Sequence, residues 1–356
     1  MIVIGIDPHM RTHTAVALER VTGEIVAERT VKARARGHGE LVLWARALDA
    51  ERVFALEDCR HVSGSLERFL IARGERVVRV PPKLMAGARA GGRERGKSDA
   101  IDALAVARAF LREPELPVAT LAGFEREVRL LADHREDLVG ERTRIGNRLR
   151  WHLHDLEPSL EIPAGALDRY RWLDRLQEWL KGRDEGSAQV RIARELVVRC
   201  RELTRRIKEL ERELEALLES EAEELLELCG CGTLTAAKLV GEVAGVGRFA
   251  GESRLAKYTG TAPLPASSGE RQRHRLNRSG NRQLNCALHR IAVTQARVYP
   301  PARAYLERRQ AEGKTRREAL RCLKRHLART VYRALRAMED RKTTSTVEVA
   351  ALADLT

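Results

Sequence analysis

Short apolar runs broken by polar turns organise the first part of the chain. Residues 2–6 (IVIGI) read as a strand that ends in Asp7. Residues 14–18 and 25–31 flank Thr22-Gly23-Glu24 and read as a hairpin, since a Gly turn between two β-rich runs reverses the chain. Residues 52–56 form another β-rich run closed by Glu57, residues 66–72 carry helical spacing, and residues 77–80 form a strand stopped by Pro81-Pro82. The order strand, hairpin, helix, strand, helix, strand predicts a mixed sheet with helices packed on it. The Gly- and Arg-rich stretch 84–98 (LMAGARAGGRERGKS) reads as a mobile loop. Ser98 stands at an N-cap position before DAIDALAVARAFL, a helix with acidic residues in its first turn, and Pro114 and Pro117 end the domain.

The pattern then changes to helical. Ala193, Leu196, Cys200, Leu203, Ile207, Leu210, Leu214 and Leu217 recur at alternating spacings of three and four, a seam that seeks a helical partner. Residues 124–156 repeat the spacing less cleanly, with Arg135 and Arg142 on the seam, so the two helices pair either as an antiparallel hairpin or across chains. The stretch 158–187, with Pro163, Tyr170, Trp172 and Trp179, is too irregular for a single helix. From residue 226 the character changes again: Gly230-Cys231-Gly232-Thr233 opens a helix and resembles a helix-hairpin-helix turn, which points backbone amides at a phosphate.

Composition narrows the function classes. The chain has 356 residues with 43% hydrophobic content, enough for real cores and too much for a disordered or collagen-like chain. No long uncharged apolar run and no signal-peptide pattern occur, which predicts a soluble, cytoplasmic protein that does not engage a membrane. The six cysteines include no CxxC pair, so neither a disulfide framework nor a zinc ribbon is indicated. Cys229-x-Cys231 lacks partners for a metal site, and His152-x-His154 lacks helical ligand spacing. Lys+Arg 65 against Asp+Glu 51 gives a net charge of +14. Residues 270–336 hold 19 Lys/Arg against 4 Asp/Glu, which leaves the rest of the chain near neutral. A solvated face usually mixes signs, so this concentration predicts a nucleic-acid contact.

Four carboxylates are candidates for chemistry. Asp7 and Glu57 each close a predicted strand, where an open α/β sheet places its ligand crevice, and Asp99 and Asp102 lie one helical turn apart. Crowded carboxylates repel unless a hard divalent cation sits among them, and two cations ~3.5–4 Å apart would serve phosphoryl transfer. Taken singly, Asp99 and Asp102 are also what a helix N-terminus favours. His9, Arg11 and His13 lie beside Asp7, where they either touch a phosphate or guide strand or merely cap a turn.

Successive stretches of the chain resemble a known family. Ile4-Gly5-Ile6-Asp7-Pro8-His9, Thr12-His13-Thr14-Ala15-Val16, Leu56-Glu57 and Lys97-Ser98-Asp99-Ala100-Ile101-Asp102-Ala103 are similar to the motifs of the DEDD transposases of the insertion-sequence 110 family. The C-terminal resemblance runs through the Gly230–Gly232 turn, Phe249, Leu255, Tyr258, Gly260, Pro263, Ser267-Ser268-Gly269 and Gly280-Asn281-Arg282-x-Leu284. The resemblance implies a RuvC-like, RNase H-type α/β domain over residues 1–118 and a helical coiled-coil region over 119–225. A helical transposase domain over 226–345, with a helix-hairpin-helix-like motif and a basic DNA- and RNA-binding surface, and a tail over 346–356 complete the expected organisation.

The activity it implies is a DNA recombinase that moves its own element, using Mg2+ (or Mn2+) at Asp7, Glu57, Asp99 and Asp102. Ser268, the serine directly before Gly269, maps to the nucleophile, with Ser267 adjacent; as a bare dipeptide the pair is an ordinary loop sequence. Arg271, Arg273, Arg275, Arg278 and Arg282, with Gly230 and Gly232, are the expected nucleic-acid contacts. The implied partners are DNA at element ends and target, a structured non-coding guide RNA, and further copies of the chain in a dimer or tetramer. Nothing in the chain reads bases recognisably, which agrees with a guide. One departure is plain: Asn285 follows Leu284 where the family continues with Arg, which puts one phosphate contact in doubt. Three rival readings are a RuvC-like nuclease using metal-activated water, a sugar-kinase-like ATPase and a non-catalytic RNA-binding protein. The ATPase expects a glycine-rich loop where Pro8-His9-Met10 stands.

Overall fold

β1 (Ile2–Pro8) is buried along its whole length because it lies at the centre of a five-stranded sheet. The computed structural model describes all residues except 59, 83, 86–87, 89–97, 117, 120–122, 267–273, 276, 278–279 and 354–356. β2 (Thr12–Glu19) runs antiparallel to β1 and pairs on its other side with β3 (Ile25–Lys32), while β4 (Arg52–Glu57) runs parallel to β1 and β5 (Val77–Val80) parallel to β4. The strand order β3-β2-β1-β4-β5 is the RNase H-type arrangement that the resemblance implies. Gly23, at φ 72°, makes the turn between β2 and β3.

Alternation along the strands divides the core. Ile2, Ile4 and Ile6 pack with Phe54 and Leu56 beneath α1 (Ala35–Leu48) and α2 (Arg60–Ile71). Val3, Val53 and Ala55 face the opposite side, against Leu104, Val106 and Phe110 of α3 (Asp99–Arg112). Because side chains alternate with a period of two, Asp7 and Glu57 fall on the α3 side. Helix α2 begins ahead of the apolar spacing at 66–72, because its first turns bury Ser63 rather than an apolar residue.

The chain divides into two compact units, Met1–Gly123 with Val243–Thr356, and Phe124–Glu242. In the second, α4 (Gly123–Leu156) and α6 (Ala188–Glu221) run antiparallel: Arg135 donates to Glu211 at 3.0 Å, Arg142 to Thr204 at 3.1 Å and Arg199 to Glu141 at 3.3 Å. The two seam arginines thus bond across to α6. α5 (Tyr170–Lys181) lies within the irregular stretch and packs Leu173, Leu176 and Leu180 against Ile145, Leu149 and Leu153 of α4 and Ala193, Leu196 and Cys200 of α6. The first half of the apolar seam is therefore covered within the chain. Further along, Thr204 and Leu218 take the buried positions beside Leu203 and Leu217, since a 3.6-residue turn drifts from a strict heptad. α7 (Glu223–Leu226) and α8 (Thr233–Val243) follow, separated by a turn at Gly230, φ 85°.

In the first unit, α9 (Glu252–Tyr258) leads to a two-stranded hairpin, β6 (Leu264–Pro265) with β7 (His274–Arg275), then α10 (Arg282–Val298), α11 (Pro300–Ala311) and α12 (Arg316–Ala353). Pro300 and Pro301 start α11 where an N–H is not needed, and Thr315 with Glu318 forms a reciprocal capping box at the start of α12. Among the described residues no helix is long and apolar enough to cross a membrane.

Candidate active site

The site forms where β1, β4 and α3 end together. Parallel pairing sets Ile6 beside Leu56, so Asp7 and Glu57, next in each strand, leave the same sheet edge. The Ser98 hydroxyl accepts from the Ile101 amide at 3.2 Å and starts α3, which puts Asp99 and Asp102 in the first turn, where the helix dipole favours negative charge. Gly5 allows this helix to lie close. A Cβ at position 5 would stand 2.1 Å from the Ala103 carbonyl oxygen and 2.5 Å from the Ala107 nitrogen. Any side chain there would push α3, with its two carboxylates, away from Asp7.

Asp7 is 5% exposed. Burial pushes its carboxyl above the usual range, and the negative charges of Asp102, Glu57 and Asp99 push the same way while His9 pulls it down. The charges of Glu57, Asp99 and Asp102 thus reach Asp7, while Glu57 and Asp102 are not among the ligand atoms that converge with it. His9 converges with Asp7 and Asp99: its Nε2 lies 3.1 Å from Asp7 Oδ2 and 3.4 Å from Asp99 Oδ1. One ligand atom from each of Asp7, His9 and Asp99 falls within 4.8 Å of the others. Carboxylate oxygens with one imidazole nitrogen make a donor set that fits a divalent cation, whose charge would relieve the repulsion that raises Asp7. The signal for His9 was its i, i+2 relation to Asp7, which keeps both on one side of an extended segment. His13 goes elsewhere. Its Nε2 lies 3.2 Å from His38 Nε2 in the buried layer, and Arg11 is exposed.

Ser267, Ser268, Arg271, Arg273 and Arg278 lie outside the described residues. The base of the segment that carries them is described. Leu264 pairs with Arg275 and Pro265 with His274, so the chain leaves and returns at one place. Below this, Gly260 (φ 69°) and Gly280 cross back to back: a Cβ on Gly280 would stand 2.2 Å from the Gly260 nitrogen. The Asn281 amide donates to the Tyr258 carbonyl at 2.7 Å, and its side chain caps α10 through the Leu284 amide at 3.0 Å. Asn285, the departure from the family pattern, donates to the Thr259 carbonyl at 2.8 Å and accepts from Lys324 at 2.6 Å. It braces the hairpin and is taken up by that role. Arg275 and Arg282 are exposed, and Gly232 presents its backbone with open space around it.

Two family models match the chain: a DEDD transposase of the IS110 type over residues 4–158, and a transposase domain described as the IS116/IS110/IS902 family over residues 222–307. An IS116 insertion-element protein of Streptomyces clavuligerus is 28% identical over 94% of each chain. An IS900 protein of Mycobacterium paratuberculosis is 26% identical over 75% of this chain and 78% of its own. An IS110 protein of Streptomyces coelicolor is 29% identical over 67% and 71%. Among solved structures, Thermus thermophilus RuvC bound to a Holliday-junction substrate is similar over 33% of this chain and 99% of its own, at 17% identity and a TM-score of 0.27. The two models name the same transposase family, one matched over the domain that holds the carboxylates and the other over the braced hairpin, and the chain belongs to the IS110 family of DEDD transposases, enzymes that cleave and rejoin DNA.

Proposed function

We propose that the chain moves its own insertion element, cutting and rejoining strands with Mg2+ (or Mn2+) at Asp7, Glu57, Asp99 and Asp102 and with Ser268 as nucleophile. The observation that carries this reading is the approach of Asp7, His9 and Asp99 within 4.8 Å at a locus that Glu57 and Asp102 also charge. When bound there, a divalent cation supplies Lewis acidity at the scissile phosphate and a lowered pKa for the attacking oxygen. His9 bridges Asp7 and Asp99 and keeps their oxygens converged. The Ser268 hydroxyl gives up its proton and forms an ester bond to phosphorus as the bond to the leaving strand oxygen breaks, and that oxygen takes a proton. The phosphoserine ester conserves the bond energy until a strand hydroxyl reverses the step. Arg271, Arg273, Arg275, Arg278 and Arg282 hold phosphate oxygens, and the amides around Gly230 and Gly232 add a neutral contact. An element-encoded guide RNA selects donor and target by pairing, and two or four copies of the chain act together on two duplexes.

Denaturing electrophoresis of a cleavage reaction tests the chemistry. We expect a protein–DNA adduct with the wild type and with Ser267→Ala, and none with Ser268→Ala or Asp7→Ala, although both still bind DNA. Free cut ends without an adduct in any variant would favour a nuclease that uses water.

A further inference from the structure

A second feature of the C-terminal segment shares only Arg275 with the chemistry proposed above. A cavity of about 450 Å³ opens beside the hairpin base, between β7, the end of α11 and the first turns of α12. Its volume lies within the ~300–1,000 Å³ typical of sites for single small ligands. Its lining is strongly basic, with six Lys/Arg against two Glu. Both acids are already engaged: Glu312 accepts from Arg309 at 2.7 Å, and Glu318 closes the capping box with Thr315 at 2.9 Å. On the basic side, Lys324 is 7% exposed and spends a donor on Asn285. Arg325 keeps its Nη1 buried with no hydrogen-bond partner among the described residues. Arg325 also lines the cavity, and a guanidinium with an uncommitted nitrogen is a ready partner for an oxyanion.

The surroundings agree. Burial and then the charges of Arg329, Arg309, Arg325 and Arg308 push the His326 imidazole below its usual range, so the local field is positive. One wall is aromatic: Tyr305 and His326 meet edge to face at 5.1 Å. Phosphate chemistry beside an aromatic wall, in a space of this size, describes a nucleotide. A duplex presents its phosphates on a convex surface and its bases stacked inside, so it cannot fill such a cavity.

We propose that this cavity holds one unpaired nucleotide of a DNA or RNA strand, its phosphate on Arg321 and Arg325 and its base toward Tyr305. The proposal rests on the strand-exchange reading, in which nucleotides near a cut must leave their duplex, and it adds a place for one of them at the foot of the serine-bearing hairpin. Asn285 and Lys324 act as positioning residues, tying the cavity wall to Thr259 at that foot.

The test measures binding of full-length protein to labelled oligothymidylate, oligouridylate and a DNA duplex across a salt series, without divalent cation. For the Arg321→Gln/Arg325→Gln double variant we expect single-strand affinity to fall about ten-fold or more, as loss of charge-assisted bonds predicts. The salt slope should fall by ~0.7 per lost phosphate contact, and duplex affinity should change less than about two-fold. Whichever of the two homopolymers loses more identifies the strand. The melting temperature of Arg325→Gln should not fall, because Nη1 makes no hydrogen bond among the described residues. Equal losses on duplex and single strand, or none on either single strand, would overturn the proposal. The adduct assay reads the recombinase chemistry separately, so a failure of that reading and a failure of the cavity proposal give different results.

Discussion

Gly5 sets the spacing on which the carboxylate cluster depends. With the Ala103 carbonyl 2.1 Å from where a Cβ would stand, even Gly5→Ala has to lift α3 from the sheet. Overpacking of this kind costs ~1–3 kcal/mol and here meets backbone, which cannot swing aside. We expect Gly5→Ala to lower the melting temperature and to reduce cleavage further than stability alone would, because Asp99 and Asp102 travel with the helix. Wild-type cleavage by a folded Gly5→Ala enzyme would show that the spacing is not needed. A second residue-scale effect is pH dependence. Burial holds the His13 imidazole down at about 4, and His38 is pushed down as well, whereas the unfolded chain takes protons near 6.5. Stability is therefore full above ~6.5, declines as pH falls from there toward 4, and levels off once folded His13 is protonated too. For His13 the total is about 3 kcal/mol. Asp7, pushed up, works in the opposite sense, so the measurement is the urea midpoint at about pH 7.5 and pH 5 for the wild type against His13→Gln. An equally steep decline in both would assign the effect to other groups. These residues also mark what the chain alone makes readable. Asp7, Glu57, Asp99 and Asp102 stand out because strand ends and a helix cap announce themselves locally. His9 is legible only through its i, i+2 relation to Asp7, and the His13–His38 pair is not legible at all, since partners 25 residues apart in sequence leave no local pattern.

At the scale of elements, the serine-bearing hairpin owes its position to a glycine crossing rather than to its own two-residue strands. Two such strands are too short to hold register alone. The Gly260–Gly280 contact, the Asn281–Tyr258 bond and the Asn285 brace carry that burden. Gly280→Ala should splay this base, abolish cleavage and leave the carboxylate domain's divalent-ion binding intact, read as ion-dependent thermal stabilisation. Loss of both would mean that the whole unit had unfolded. Strands 2–8, 12–19 and 25–32 match short apolar runs, and α3 begins where Ser98 predicts. The seam on α6 and its candidate partner α4 were visible as well, but whether they pair within one chain or across two was not. Which helix covers an apolar stripe depends on the turn at 157–187, whose irregular sequence holds α5, and on arginines that look out of place until Glu211 and Thr204 stand opposite them. The basic cavity was invisible for the same reason: its walls come from residues 260–263, 274, 275 and 277 and from the stretch 305–326, which become neighbours only after α10 is in place.

For the whole molecule, α3 ties the two ends of the chain together. Its first turn carries Asp99 and Asp102, and just past its last turn Glu113 accepts from Lys257 at 2.6 Å while Glu115 pairs with Arg254. Exposed pairs of this kind contribute ~0–1 kcal/mol each. Glu113→Lys should therefore cost about 1 kcal/mol in chemical denaturation, and adding Lys257→Glu should restore most of it; a second substitution without effect would mean that the pair does not couple. The larger meaning of this contact concerns synthesis. Its two residues are 144 positions apart, and the second unit is made between them. At ribosomal rates of roughly 5–20 residues per second, on the order of ten seconds pass between completing α3 and delivering α9. Throughout that interval a nascent chain owns its carboxylates but not the hairpin that, on the proposed mechanism, attacks DNA. On that mechanism a DNA-cleaving enzyme is inert while unfinished, and a prematurely terminated copy stays so.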